Sequence, residues 1–189
     1  MGALIRSSSR QVTQAEQLEI TMQGQQYLTF SVSGELFAIP ISAIKEIIEY
    51  RIPTDVPMMP PFIRGVINLR GRVAPVIDLA VRFGRPKAEV ARRTCIVILE
   101  IAQEGQQQDI GVVVDAVSAV LDIADADIEP PPKFGAKLRA DFISGMGKIA
   151  EKFVIILNID KVLSVEELSG LAGVGNETVA LPVPQGLLD

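Results

Sequence analysis

Phe62-Ile63-Arg64-Gly65-Val66-Ile67-Asn68-Leu69-Arg70-Gly71-Arg72-Val73-Ala74-Pro75-Val76-Ile77-Asp78-Leu79 is the stretch that decides the fold. Its apolar runs are short, rich in Val and Ile, and interrupted by Arg70-Gly71, where glycine supplies the positive φ of a tight turn. That pattern predicts a β-hairpin. It returns at a constant offset of 80 residues, where Phe142-Ile143-Ser144-Gly145 through Ile156-Leu157-Asn158-Ile159 repeats the Phe, the Ile and the Gly. Upstream, Ile41-Ser42-Ala43-Ile44 through Ile47 is echoed by Val114-Asp115-Ala116-Val117 through Val120 at an offset of 73. Repetition at fixed spacing over two stretches predicts a tandem of two related lobes.

Working outward, further hairpins follow. Tyr27 to Val32 alternates, turns at Ser33-Gly34 and resumes at Leu36 to Ile39. Cys95 to Ile101 and Ile110 to Val114 flank a polar stretch, Gln103 to Asp109, which reads as their loop. Phe142 to Lys148 pairs with Phe153 to Asn158. Many short strands at close spacing favour small barrels or a sandwich. The proline-bearing segments 51–61 and 129–133 take equivalent places in the two lobes as exposed connections, because proline cannot donate to a ladder. Ser164 followed by Glu167 has the capping-box spacing, and Val165, Leu168 and Leu171 form one apolar face. That predicts a C-terminal helix covering a barrel. Residues 1–24 read as a flexible extension, and the Gly- and Pro-bearing end of the chain as a flexible tail.

Composition excludes whole classes of chemistry. The 189 residues are 48% hydrophobic, enough for a real core. The chain has no histidine, which rules out a Ser-His-Asp triad, a Cys-His pair, a His-based zinc site and a phosphohistidine. Gly145-Met146-Gly147-Lys148 lacks the spacing and following helix of a phosphate loop, and Gly170 to Gly175 lacks the strand and helix of a dinucleotide fingerprint. Asp115, Asp122, Asp125, Asp127 and Glu129 have no calcium-loop spacing and read as a solvated acidic face. No cofactor and no metal is therefore expected. Cys95, inside an apolar run, reads as a small core residue. With no apolar run of membrane-spanning length and no secretory signal pattern, the expected setting is the cytoplasm.

Charge is unevenly spread around a net of −5. Residues 62–93 carry eight basic side chains against two acids, while residues 94–129 carry eight acids and no base. The basic stretch keeps a small-barrel nucleic-acid binder open as an alternative, against which stand two Tyr, no Trp and the net negative charge. Head-to-tail contacts between a basic and an acidic lobe are a second consequence, with Arg82, Arg85 and Arg93 as the test residues. Two local features draw attention as partner-binding candidates. Arg70 and Arg72 flank a turn that needs only its glycine, so they are either partner-binding guanidinium groups or plain surface arginines. Glu46 lies between Ile44 and Ile48 on one strand face, either projecting at the edge of an apolar groove or standing as an ordinary exposed acid.

Taken together, Gln26 to Phe30, Ile39-Pro40-Ile41, Ala43 to Ile47, Ile77-Asp78-Leu79, Ile110 to Val117, Asn158 to Leu163 and above all Pro61 to Gly71 resemble the CheW family. The resemblance spans about residues 26 to 168. It implies a mainly β fold of two small five-stranded SH3-like barrels packed together, with short helices and a C-terminal helix. The implied division is residues 25–168 as the CheW-like domain, with lobes at about 25–90 and 91–163 and room for a strand exchanged between them, followed by 169–189 as helix end and tail. The family is non-enzymatic. It couples the cytoplasmic hairpin tip of chemoreceptors to the regulatory domain of a CheA-type histidine kinase, and works at membrane-associated receptor arrays without entering the membrane. Contacts with a second copy in a ring are a further implied possibility. The resemblance puts receptor contact in the groove between the barrels, at Ile41, Ile44, Glu46 and Val117, and matches Arg70, with Gly71, to the family's signalling arginine. A related adaptor for pilus or gliding motility would carry the same pattern. Pro40 and the two terminal extensions depart from it.

Overall fold

A computed structural model describes residues 24–103, 105–133 and 138–164. The capping-box helix expected from Ser164 onward, the N-terminal extension up to residue 23 and the tail lie outside the described residues.

Among the described residues, eleven strands form two sheets. In chain order they are β1 (Gln25–Val32), β2 (Glu35–Pro40), β3 (Ile44–Glu49), β4 (Ile63–Leu69), β5 (Arg72–Asp78), β6 (Cys95–Gln103), β7 (Gln106–Val114), β8 (Ala116–Ile123), β9 (Ile128–Glu129), β10 (Ile143–Ile149) and β11 (Lys152–Leu157). Two single-turn helices, α1 (Leu79–Arg82) and α2 (Ile159–Val162), follow β5 and β11. One sheet runs β8-β1-β2-β11-β10-β9, the other β3-β6-β7-β5-β4.

The repeat is written into local geometry. A register shift at Ile63/Gly65 recurs at Ile143/Gly145, and one at Ile44/Glu46 recurs where Thr29 pairs with Ala119 and Phe30 with Val117. Each is a bulge, which adds a residue to one strand and bends it. Asp78 N–H donates to the Phe62 carbonyl and Asn158 N–H to the Phe142 carbonyl, both at 2.7 Å. Asp78 Oδ1 caps α1 by accepting from Val81 N–H, and Asn158 Oδ1 caps α2 by accepting from Lys161 N–H, both at 3.3 Å.

The sheets do not follow a division of the chain near residue 90. Hairpin β1-β2 pairs with β8 and, in parallel, with β11 of the second half, while hairpin β6-β7 pairs with β3 and, in parallel, with β5 of the first. The two parallel ladders are equivalent: Ala38 opposes Ile156 as Gly111 opposes Val76. Exchange therefore involves a whole hairpin in each direction rather than one strand. The reason is burial. Ile96 and Ile98 of β6 point into one barrel with Val76 and Val113, while Val97, Leu99 and Ile101 join Phe30, Phe37 and Ile39 in a core between the sheets. Strands buried on both faces read as unbroken apolar runs, as 95–99 does. The second barrel interior holds Tyr27, Ala38, Ile123, Val154 and Ile156. Each buried Val, Ile, Leu or Phe side chain contributes about 1.5–3 kcal/mol by leaving water.

The polar stretch 103–109 is mostly strand, since β6 and β7 continue to the pair Gln103 and Gln106. A backbone ladder needs no apolar side chains where neither face is covered. Arg82, expected to test head-to-tail contacts between lobes, is engaged within the protein. Its guanidinium lies 4.7 Å from the Phe62 ring and 4.8 Å from the Phe142 ring, and Nε donates to the Val162 carbonyl at 2.8 Å, tying α1 to α2. Arg85 pairs with Glu35 at 2.6 Å. Charge reversal at Arg82 or Arg85 would thus damage the joint between the sheets before it reported on any partner.

The bulge glycines differ in a testable way. Gly65 has φ +136°, and a Cβ there would strike the carbonyl oxygen of Thr54, which is fixed by reciprocal backbone bonds to Val66. At Gly145, which has no positive φ, the Cβ would meet the Ile128 Cγ2 methyl at 2.6 Å and the Glu129 carbonyl oxygen at 3.2 Å. Gly65→Ala is expected to destabilise the fold by about 2–3 kcal/mol in urea unfolding. Gly145→Ala should cost less, because its φ is not in the left-handed region and its approach to a backbone carbonyl is milder.

Candidate functional site

β3 and β4 are the two ends of the five-stranded sheet, so closing this barrel requires them to meet without a ladder between them. Side chains close the seam. Arg64, the extra residue of the β4 bulge, donates from Nη1 to the Tyr50 hydroxyl at 3.0 Å, and Arg70, in the β4-β5 turn, donates from Nη2 to Glu46 Oε2 at 2.9 Å. The two contacts run antiparallel along the seam, 46 with 70 and 50 with 64.

The turn is a two-residue loop with φ +51° at Arg70 and +82° at Gly71, the left-handed pair that matches the twist of a hairpin. Gly71 N–H donates to Asn68 Oδ1 at 2.8 Å, which fixes the turn from within. Arg70 is thereby held on a rigid tip with its side chain 73% exposed, while that of Glu46 is 23% exposed. Glu46 Oε1 is buried and has no hydrogen-bond partner among the described residues. A carboxylate oxygen left unsatisfied is costly, so the fold holds an acceptor it does not itself use.

Of the expected site residues, the structure brings Glu46, Arg70 and Gly71 together. Ile44 and Glu46 are half-buried with Ile48, alternating with exposed Lys45, Ile47 and Glu49. Ile41 opens the 3₁₀ turn Ile41–Ala43 and is partly exposed. Val117 lies on β8 of the other sheet, as the repeat counterpart of Ile44. Both pack against the core between the sheets, but Val117 is not at the seam. Beside the seam, Lys45 contacts Asp109 at 2.9 Å and Glu100 at 3.6 Å, and the Asp109 hydrogen bonds raise its pKa above the usual lysine value. Burial pushes the Cys95 thiol up, in keeping with a packing role.

A buried ion pair was hidden in the basic stretch. Arg64 Nε meets Asp78 Oδ2 at 2.8 Å, with side chains 5% and 0% exposed. Arg64 Nη2 also donates to the Ala88 carbonyl, and Ala88 N–H donates to Asp78 Oδ2. The only sequence signal for this is that Arg64 stands beside the bulge glycine. The sister lobe shows what the fold needs and what it does not. At the repeat offsets, Glu46 corresponds to Ala119, Arg70 to Ala150, Arg64 to Ser144 and Asp78 to Asn158. Ala150 takes the same left-handed backbone, φ +53°, with no arginine.

The family model described as "CheW-like domain" matches residues 26–167. The chain belongs to the CheW-like domain family. Its CheW-type relatives include a chemotaxis protein CheW of Klebsiella aerogenes, 36% identical over 77% of this chain and 86% of that protein. A chemotaxis protein CheW of Rhizobium meliloti is 32% identical over 78% and 93%. Protein FrzA of Myxococcus xanthus is 29% identical over 78% and 91%. Among solved structures, the scaffolding protein TtCheW of Thermoanaerobacter tengcongensis matches with a TM-score of 0.67 and 36% identity, covering 74% of this chain and 87% of that one. The fold of two packed SH3-like barrels is that of the CheW family. No helix among the described residues is long and apolar enough to cross a membrane.

The two ion pairs predict different stability effects. Arg70→Ala should change the unfolding free energy by less than about 1 kcal/mol, as for an exposed pair. Asp78→Ala, which strands a buried guanidinium, should cost about 3–5 kcal/mol. Denaturant titration of both variants checks the contrast.

Proposed function

We propose that this chain is a non-enzymatic chemotaxis adaptor. It couples the cytoplasmic tip of methyl-accepting chemoreceptors to the regulatory domain of a CheA-type histidine kinase, working in the cytoplasm at receptor arrays. What carries the reading is the CheW-like match over residues 26–167 together with one physical observation: the seam pair Glu46 and Arg70 is absent from the sister lobe, where Ala119 and Ala150 stand on the same backbone plan. Charge that the fold does not require is available to a partner.

In this reading Ile41, Ile44, Glu46 and Val117 contact the receptor tip, an apolar surface with charge that sets register. Arg70, carried by Gly71 in its turn, offers a guanidinium to a partner carboxylate. The nucleic-acid alternative is weakened, because three of the eight basic side chains of that stretch, Arg64, Arg82 and Arg85, are engaged within the protein. The similarity to FrzA supports a second reading, the same adaptor chemistry in a related motility pathway.

Co-purification with a CheA-type regulatory domain and with a receptor-tip fragment tests the proposal. The wild-type chain should retain both, and Arg70→Glu and Glu46→Lys should each weaken retention by about tenfold while remaining folded. Failure of the wild type to bind either partner would overturn the adaptor reading. Full recovery in a chain carrying both Arg70→Glu and Glu46→Arg would instead assign the pair to the seam alone.

A further inference from the structure

Strand β3 is held by a backbone ladder on one side only, against β6, and on its other side it meets β4 through side chains. Its place along that seam is therefore set by those side chains. Half-buried and exposed positions alternate from Ile44 onward, so Glu46, Ile48 and Tyr50 share one face of the strand, and Ile48 and Tyr50 pack against the barrel core. Of the two residues that reach across from the β4 side, Arg70 is the mobile one. Its side chain is 73% exposed, and an exposed ion pair such as Arg70 with Glu46 contributes little by itself.

Arg64 is the fixed post. A guanidinium is planar and carries its donors in a rigid fork. Here Nε donates to Asp78 at 2.8 Å and Nη2 to the Ala88 carbonyl, while Ala88 N–H donates to the same Asp78 oxygen at 3.2 Å. The plane is thus fixed below the surface, and Nη1 is left facing the seam. There the Tyr50 hydroxyl accepts from it at 3.0 Å, with the guanidinium carbon 5.8 Å from the centre of the phenol ring.

The sister barrel closes without such a bond. At the repeat offsets Ile123 stands in place of Tyr50, Ser144 in place of Arg64 and Gly147 in place of Ile67. Ile123 is buried, and its Cδ1 lies 3.1 Å from where a Cβ on Gly147 would sit. Apolar packing is enough to close that seam, which carries Ala119 and Ala150 instead of a charged pair. The directed bond stands in the barrel where Glu46 and Arg70 have to be set against each other.

We propose that Arg64, acting through Tyr50, is a positioning residue for the partner-binding face of β3. The bond fixes the height of the strand along β4, and with it the place of Glu46 beside Arg70. The proposal rests on the coupling reading and adds to it a buried residue that acts without touching a partner.

Arg64→Ala would strand the buried Asp78, so the test uses the full chain with Tyr50→Phe, which keeps the ring and removes only the hydroxyl. Amide hydrogen exchange, read by mass spectrometry with no partner present, should rise at least about fivefold over residues 46–51 and stay unchanged over residues 119–124 of the sister seam. A general loss of stability would raise both together. Affinity for the CheA-type regulatory domain or the receptor-tip fragment should fall about fivefold in Tyr50→Phe, but by about twofold or less when the same change is made in a Glu46→Gln chain, because the effect passes through Glu46. Unchanged exchange over 46–51, an equal rise in both segments, undiminished affinity or equal losses in the two backgrounds each overturn the proposal, since the bond then serves the fold alone. A wild-type chain that retains neither partner overturns the coupling reading and the proposal with it, a result distinct from the others, which are read against a wild type that binds.

Discussion

Strands β1, β6 and β7 each serve two cores at once, and the rest of the molecule depends on that double duty. One face of each fills a barrel, and the other meets the opposing sheet around Phe30, Phe37, Leu99 and Val112. Phe83 enters the same layer, 5.1 Å from Phe37 and 6.2 Å from Phe142, and Arg82 bridges the two single-turn helices above it. Sliding one barrel against the other would therefore break both barrels, because the strands that form the contact are also their walls. A groove between such lobes keeps its width, which suits a surface that must present fixed features to more than one partner.

On this frame, two copies of one plan have been given different chemistry. Bulges, turns and helix caps recur at the same offsets, but one lobe has a polar seam and a buried ion pair that holds Ala88, and the other has alanines at the seam and Ser144 and Asn158 in the ion pair's place. Equivalent turns and helix caps with unlike side chains separate what folding requires from what it does not. The arginine turn and its alanine twin are the clearest instance, since both adopt the left-handed conformation that favours glycine.

Much of this was legible in the residues. Phe62 to Gly65 and Phe142 to Gly145 betray the repeat because a bulge glycine pressed against a neighbouring strand cannot change freely, and Arg70-Gly71 betrays its turn through φ. Glu46 and Arg70 were each readable as candidates, but their pairing was not, since it arises only when the sheet's two ends meet. Hairpin exchange was also beyond reach. Two equivalent barrels offer each hairpin two equivalent partners, and apolar periodicity does not distinguish them. The burial of Arg64 is not legible for a related reason, as a bulge re-aims the side chain it inserts and breaks the inside-outside alternation of a strand.

Hairpin exchange has a consequence for how the chain comes into being. Thr29 bonds to Ala119, 90 residues away, and the first half cannot complete its barrel until β6 and β7 have left the ribosome. Neither repeat is thus an independent folding unit during synthesis, and loop closure must precede the packing that rewards it. At high concentration a hairpin waiting for its own partner can also be taken by the same site in a neighbouring nascent chain, giving an entangled dimer by the pairing that normally knits one molecule together.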